Sequence, residues 1–303
     1  MTNWTADDVP DCAGRTVVVT GANSGIGLAA TEALAEAGAH VVMACRSVDD
    51  AESAREAILT DLPGASLTVR ELDLADLDSV RAFADWAGDE LVRIDVLCNN
   101  AGVMAIPRRE TADGFETQFG VNHLGHFALT GLLFERLRAA PAPRVVTQSS
   151  GIHARGEIDF DDLHGEDDYD RWEAYARSKL ANLLFAYELD RRYEEVTSVG
   201  CHPGYAATNL QYRGPEAEGS RVRMAVMKVA NAVVAQSARA GALPMLYAVT
   251  ADDVEGGDYV GPGGLLKMRG APEEQRSASQ SYDEETAERL WSVSVEATGV
   301  GFP

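Results

Sequence analysis

Lysine is almost missing from this chain of 303 residues: Lys179, Lys228 and Lys267 stand alone among 26 basic residues. Acidic residues number 48, which leaves a formal net charge of −22. A surface of that sign repels phosphate backbones and anionic headgroups, so nucleic acid and charged membranes are excluded as partners. Cysteine is scarce too: Cys12, Cys45, Cys98 and Cys201 form no CxxC pair. Three of them lie in or at the end of apolar runs, the pattern of reduced, buried thiols in an intracellular protein. No apolar run reaches the roughly 18 residues that a membrane span needs. The opening stretch MTNWTADDVPDC is acidic and polar, unlike a signal peptide or an anchor. Repeats, low-complexity tracts and interdomain linkers are absent, so residues 1–303 are expected to form one soluble, cytoplasmic domain.

The dense like charge has a consequence for habitat. At 0.01 M ionic strength the Debye length is about 30 Å, comparable with a whole domain, and at 1 M it falls to about 3 Å. A halophilic protein, stabilised by molar KCl or NaCl, is therefore expected. The melting temperature should rise between 0.1 and 2 M salt by more than a neutral osmolyte raises it; a flat or falling curve would mark an ordinary acidic protein.

What the chain does have is alternation. RTVVVT (15–20), HVVMAC (40–45), SLTVREL (66–72), IDVLCNN (94–100), RVVTQSS (144–150) and VTSVGCHP (196–203) read as buried strands. Segments 25–37, 49–60, 76–88, 113–139 and 172–194 carry helical periodicity. Strand and helix in alternation predict an α/β fold, a doubly wound parallel sheet of the Rossmann type with helices on both faces.

Three local patterns carry chemistry. TGANSGIG follows the first strand and opens a helix, so Gly21, Gly25 and Gly27 permit a sharp turn against a pyrophosphate. The helix N-terminus supplies free N–H groups, and Ser24 adds a hydroxyl there. At the end of the second strand stand Cys45 and Arg46, where NAD-binding sheets place an acid for the ribose hydroxyls. A guanidinium pairs with a 2′-phosphate, which favours NADP(H) while leaving NAD possible. Finally, Lys179 follows Tyr175 by one helical turn, on the same face. A cation within about 4–6 Å lowers an acid's pKa by roughly 1–3 units, enough to bring a tyrosine near pKa 10 toward working range.

With TGANSGIG, ACR, DL (73–74), NNAG (99–102), GVNHLGHF (120–127), SSGIHARGEIDFDDL (149–163), YARSKLANLLFAYEL (175–189), HPGYAATNL (202–210) and GGDYVGPGG (256–264), the chain resembles the short-chain dehydrogenases/reductases. Within them it looks like the retinol dehydrogenase and protochlorophyllide reductase branch. The motifs occur in the family's order over nearly the whole chain.

The resemblance implies a cofactor cradle of Gly21, Asn23, Ser24, Gly25, Ile26 and Gly27, with Arg46 on the phosphate and Asp73 and Leu74 bordering the adenine. Asn99, Ala101 and Gly102 should line the central stretch, and Pro203, Gly204 and Thr208 should flank the nicotinamide. Catalysis should fall to Asn122, whose backbone carbonyl helps hold a water, Ser150 on the substrate oxygen, Tyr175 as acid/base and Lys179 on the ribose. The implied reaction interconverts a small-molecule alcohol and a carbonyl. A homodimer or homotetramer is expected, since helices 113–139 and 172–194 resemble those that pair subunits in the family. A substrate lid is expected around 205–240.

The Ser–Tyr spacing is longer than the family's common one but similar to that of the retinol dehydrogenase branch, and the register of the adjacent serines leaves Ser149 as an alternative to Ser150. His123 and His126, three residues apart, are read as helix packing, and no metal is expected. Two other readings stay open: a catalytically silent dinucleotide sensor or scaffold on the same fold, and a reductase of an activated C=C bond.

Overall fold

The computed structural model describes residues 4–204, 237–264 and 267–303. Six strands form where the apolar runs stand: β1 (Thr16–Thr20), β2 (His40–Cys45), β3 (Ser66–Glu71), β4 (Val96–Asn99), β5 (Arg144–Gln148) and β6 (Thr197–Cys201). Two more follow, β7 (Tyr259–Pro262) and β8 (Pro272–Gln275). The sheet order is β3-β2-β1-β4-β5-β6-β7-β8. All neighbours run parallel except β8, which pairs antiparallel with β7 from Tyr259↔Gln275 to Pro262↔Pro272. Order reverses between β1 and β4, where Val17 pairs with Val96 and Val19 with Cys98. In open α/β sheets the crevice beyond the strand ends at such a reversal is where ligands bind.

Helices α1 (Gly25–Glu36), α2 (Val48–Asp61) and α3 (Leu77–Glu90) begin close to the expected positions. Ser47 caps α2 by accepting the Asp50 N–H, and Asp76 caps α3 by accepting from Asp78 and Ser79. Such caps satisfy backbone donors that the first helical turn leaves open.

The expected helix 113–139 is corrected. The Glu116 carboxylate accepts the N–H groups of Gln118 and Phe119, so the helix starts at Thr117. The segment then runs as α4 (Thr117–Phe119), a π turn (Gly120–Leu124), α5 (Gly125–Leu132) and α6 (Phe134–Arg138). The long α7 (Arg171–Arg192) opens on Asp170, which accepts from Trp172 and Glu173. After β6 the described helices are α8 (Ala238–Thr250) and α9 (Glu284–Thr298), the latter ending on Gly299 in the left-handed conformation. The lid expected around 205–240 lies mostly outside the described residues.

Hydrophobic layers fill both faces of the sheet. One joins Val17, Val19, Val41 and Met43 to α1 and α8; the other joins Val18, Val42, Leu97 and Val145 to α3, α5, α6 and α7. On the second face α9 adds Trp291. Trp291 meets Phe127 edge-on at 5.1 Å and Phe302 at 4.6 Å between ring centroids. Phe127 and Phe185, on the helices expected to pair subunits, are thus buried beneath the chain's own C-terminal segment.

Candidate active site

A cleft of about 540 Å³ opens beyond the β1–β4 reversal. It is lined at one end by the glycine turn with Arg46 and Ser47, and at the other by Ser150, Trp172, Tyr175, Lys179, Pro203 and Gly204. Asn23, Ile26, Asp73, Leu74, Ala101 and Gly102 line its length. Thr208 lies outside the described residues.

The turn is shaped by close approach. A Cβ on Gly27 would stand 2.4 Å from the Gly21 carbonyl oxygen and 2.6 Å from Asn100 Nδ2, so only glycine lets α1 start this near β1. Ser24 takes the N-cap position of α1 in extended conformation, with no cap bond from its side chain. The cradle therefore suits a dinucleotide: backbone N–H groups at a helix start beside room that side chains would fill. Arg46 is exposed at the mouth, directly after the buried Cys45.

Beyond β4 the loop is held from behind. Thr20 Oγ1 accepts the N–H groups of Asn100 and Ala101, both at 2.9 Å, and Asn100 Nδ2 donates to the Thr20 carbonyl at 2.7 Å. The expectation for Asn99 is corrected. Its side chain points into the core, fully buried, and donates to Thr130; the cleft is lined by Asn100 instead. Residues alternate across a strand, and one position decides which asparagine faces the ligand.

Asn122 is also fully buried and does not line the cleft. Its carboxamide pairs both ways with the Val103 backbone, accepting the N–H at 2.8 Å and donating to the carbonyl at 2.9 Å. Gly102 must be glycine beside it, since a Cβ would lie 2.9 Å from Asn122 Oδ1. The same side chain donates to Ser178 Oγ at 2.9 Å, and Ser178 donates to the Tyr175 carbonyl at 2.8 Å. The carbonyl expected to hold a water accepts His126 Nδ1–H at 3.0 Å, which occupies one of its two lone pairs.

The two serines part company. Ser149 is 2% exposed and donates its hydroxyl to the Lys179 carbonyl at 2.8 Å. Ser150 caps the short 3₁₀ turn Gly151–Arg155, its side chain accepting the Ile152 N–H, and lines the cleft with Tyr175. Geometry thus places Ser150 beside Tyr175.

Burial pushes the Tyr175 phenol up to about 12, and the neighbouring Ser150 hydroxyl offsets this only in part. That runs opposite to the expected depression by Lys179. The lysine is itself buried, lowered to about 8, and donates to the Gln148 carbonyl at 3.0 Å. Its Nζ stands 5.9 Å from the centre of the Tyr175 ring, so among the protein's own groups desolvation dominates over the charge.

Val103, Met104 and Ile152, from segments 103–112 and 152–171 expected to shape the pocket, are on the cleft wall, and so are Gln148 and Trp172, which no motif marked. Only the strand position of Gln148, two residues before Ser150, carried a signal for its place.

The short chain dehydrogenase family model matches residues 15–219. Human retinol dehydrogenase 12 is 41% identical over 291 residues, spanning 95% of this chain and 87% of that one. Human retinol dehydrogenase 13 is 40% identical over 295 residues, 96% of this chain and 86% of the relative. Among solved structures, an uncharacterised protein from Mycobacterium paratuberculosis is 41% identical with a TM-score of 0.82, covering 100% of both chains. A gluconate 5-dehydrogenase-like protein from Beutenbergia cavernae, solved with bound NADP, is 27% identical with a TM-score of 0.61, over 79% of this chain and 90% of its own. The glycine turn, the Tyr175–Lys179 pair and these matches converge: the chain belongs to the short-chain dehydrogenase/reductase family, in its retinol dehydrogenase-like branch.

Proposed function

We propose that this oxidoreductase is NADP(H)-dependent and interconverts an alcohol and a carbonyl, with Tyr175 as acid/base. The observation that carries the reading is the meeting of Ser150, Tyr175 and Lys179 at one end of a cleft whose other end is a glycine turn with an exposed arginine. Bound there, a nicotinamide cofactor supplies or accepts the hydride. Ser150 hydrogen-bonds the substrate oxygen, and Tyr175 gives it a proton in reduction or takes one in oxidation. A phenol held near 12 stays protonated at neutral pH, which suits donation to a carbonyl. Lys179 adds positive charge beside the phenol and holds the ribose.

Around the reacting end Val103, Met104, Ile152 and Trp172 offer apolar surface, and the relatives named retinol dehydrogenases extend the reading to an apolar alcohol or aldehyde. A panel of carbonyls and alcohols, retinoids among them, assayed with NADPH/NADP⁺ and NADH/NAD⁺ tests this reading. Products should differ from substrates by two hydrogens at a carbonyl; saturation of a C=C bond, or no turnover of any pair, would reject it.

Arg46 carries the cofactor preference. A charge-assisted bidentate contact is worth about 1.5–3 kcal/mol, or roughly ten- to a hundredfold in affinity. Arg46→Asp should therefore cost NADPH affinity by that factor and NADH affinity far less. Equal losses for both cofactors, or a wild-type preference for NADH, would remove Arg46 from phosphate recognition.

A further inference from the structure

His126 is 1% exposed and touches neither the cleft nor solvent, yet both ring nitrogens are committed. Nδ1 lies 3.0 Å from the Asn122 carbonyl and Nε2 lies 2.9 Å from Thr20 Oγ1. A carbonyl oxygen only accepts, so the proton sits on Nδ1 and, in the neutral ring, Nε2 is the acceptor. Thr20 must then donate to Nε2, which is nearer than its other acceptor, the Cys98 carbonyl at 3.2 Å. The same Thr20 oxygen receives the N–H groups of Asn100 and Ala101.

One ring therefore joins two anchors. At the Thr20 end it fixes the start of the cleft wall that runs from Asn100 to Val103. At the Asn122 end it grips the π turn Gly120–Leu124, whose asparagine clamps Val103 and reaches the Tyr175 backbone through Ser178. A π turn breaks the regular ladder of a helix and commonly marks a functional position. Its side chain-to-backbone brace here is His126.

We propose that His126 is a positioning residue, its Thr20 end setting the start of the cofactor-facing wall at Asn100 and Ala101 and its Asn122 end setting the far end of that wall at Val103 together with the placement of Tyr175. The proposal rests on the dehydrogenase reading above.

Substitutions separate the two ends. An asparagine side-chain amide can replace Nδ1–H toward the Asn122 carbonyl without reaching Thr20. A glutamine can reach Thr20 in place of Nε2 and gives up the Nδ1 contact. His126→Leu removes both. NADPH dissociation constants from nicotinamide fluorescence, kcat and KM on a carbonyl turned over by the wild type, and melting temperature are measured for all three.

The leucine variant should lose roughly tenfold in NADPH affinity and roughly tenfold in kcat, the scale of one lost hydrogen bond for each. His126→Asn should weaken NADPH binding while keeping kcat near wild type, and His126→Gln should lower kcat with a smaller loss of NADPH affinity. If the leucine variant lowers only the melting temperature, His126 is core packing and the proposal fails. If it does not fold, the asparagine and glutamine variants decide, and identical behaviour of those two overturns the two-ended brace. Wild-type protein that binds NADPH but turns over no carbonyl or alcohol would sink the dehydrogenase reading, with the affinity split still deciding the Thr20 end. Wild-type protein that binds no dinucleotide would overturn both.

Discussion

Tyr175→Phe should lower turnover at least about 10²-fold while cofactor affinity changes little, because the substitution deletes the proton donor alone. The ring keeps its place on α7, edge-on to Trp172 at 6.5 Å and with Lys179 Nζ 5.9 Å from its centre. Its backbone carbonyl still accepts from Ser178, so the brace to Asn122 survives. Ser150 retains its position as cap of the 3₁₀ turn. The measurement is kcat and KM on a confirmed substrate, with NADPH affinity followed separately by fluorescence. Near-normal turnover would remove Tyr175 from proton transfer and assign that role elsewhere; loss of cofactor binding in parallel would mean that the substitution disturbed the cleft instead.

The second large effect concerns acid. Burial lowers all six histidines: His40, His153 and His164 downward from 6.5, His126 and His202 to about 4, and His123 to about 3. A histidine held neutral in the fold costs nothing above the unfolded pKa of 6.5. Below it the unfolded chain takes up the proton first, so stability is present at neutral pH and is lost as pH falls from 6.5 toward 4. Each such group contributes about 1.4 kcal/mol per pH unit in that window, so His123, His126 and His202 together give a slope of at most about 4 kcal/mol per pH unit. Asp190 and Asp258, raised by burial, act the other way but only where carboxylates begin to titrate.

Against a total stability of about 5–15 kcal/mol such a slope is large. The denaturation midpoint should therefore fall steeply between pH 6.5 and 5. Denaturation midpoints at pH 7.5, 6.0 and 5.0, in fixed molar salt, check this. A midpoint unchanged between pH 7.5 and 5.0 would mean that these histidines are charged or solvated in the folded protein.

Much of the fold was legible because its signals are local. Strands β1 to β6 are short apolar runs, and the caps at Ser47 and Asp76 sit in the sequence just ahead of α2 and α3. Strands β7 and β8 were not legible: YVGP and PEEQ are four residues each, broken by proline and, in β8, polar, and only pairing with neighbours makes them strands. Helix α9 carries a local signal, Asp283 as cap and Leu290 and Trp291 buried on one face. What no local signal shows is where it docks, over Phe127 and Phe185.

The sequence by itself determined the parallel α/β architecture, the glycine turn at the end of β1 and the pairing of Tyr175 with Lys179, since each depends on spacing along one element. Tertiary structure decided the rest. It turned Asn99 inward and Asn100 toward the cleft, committed the Ser149 hydroxyl to the Lys179 carbonyl, and broke the helix at Asn122 into a π turn. It also set the direction of the Tyr175 shift, because desolvation depends on everything packed around a group, and a chain read one residue at a time holds no measure of that.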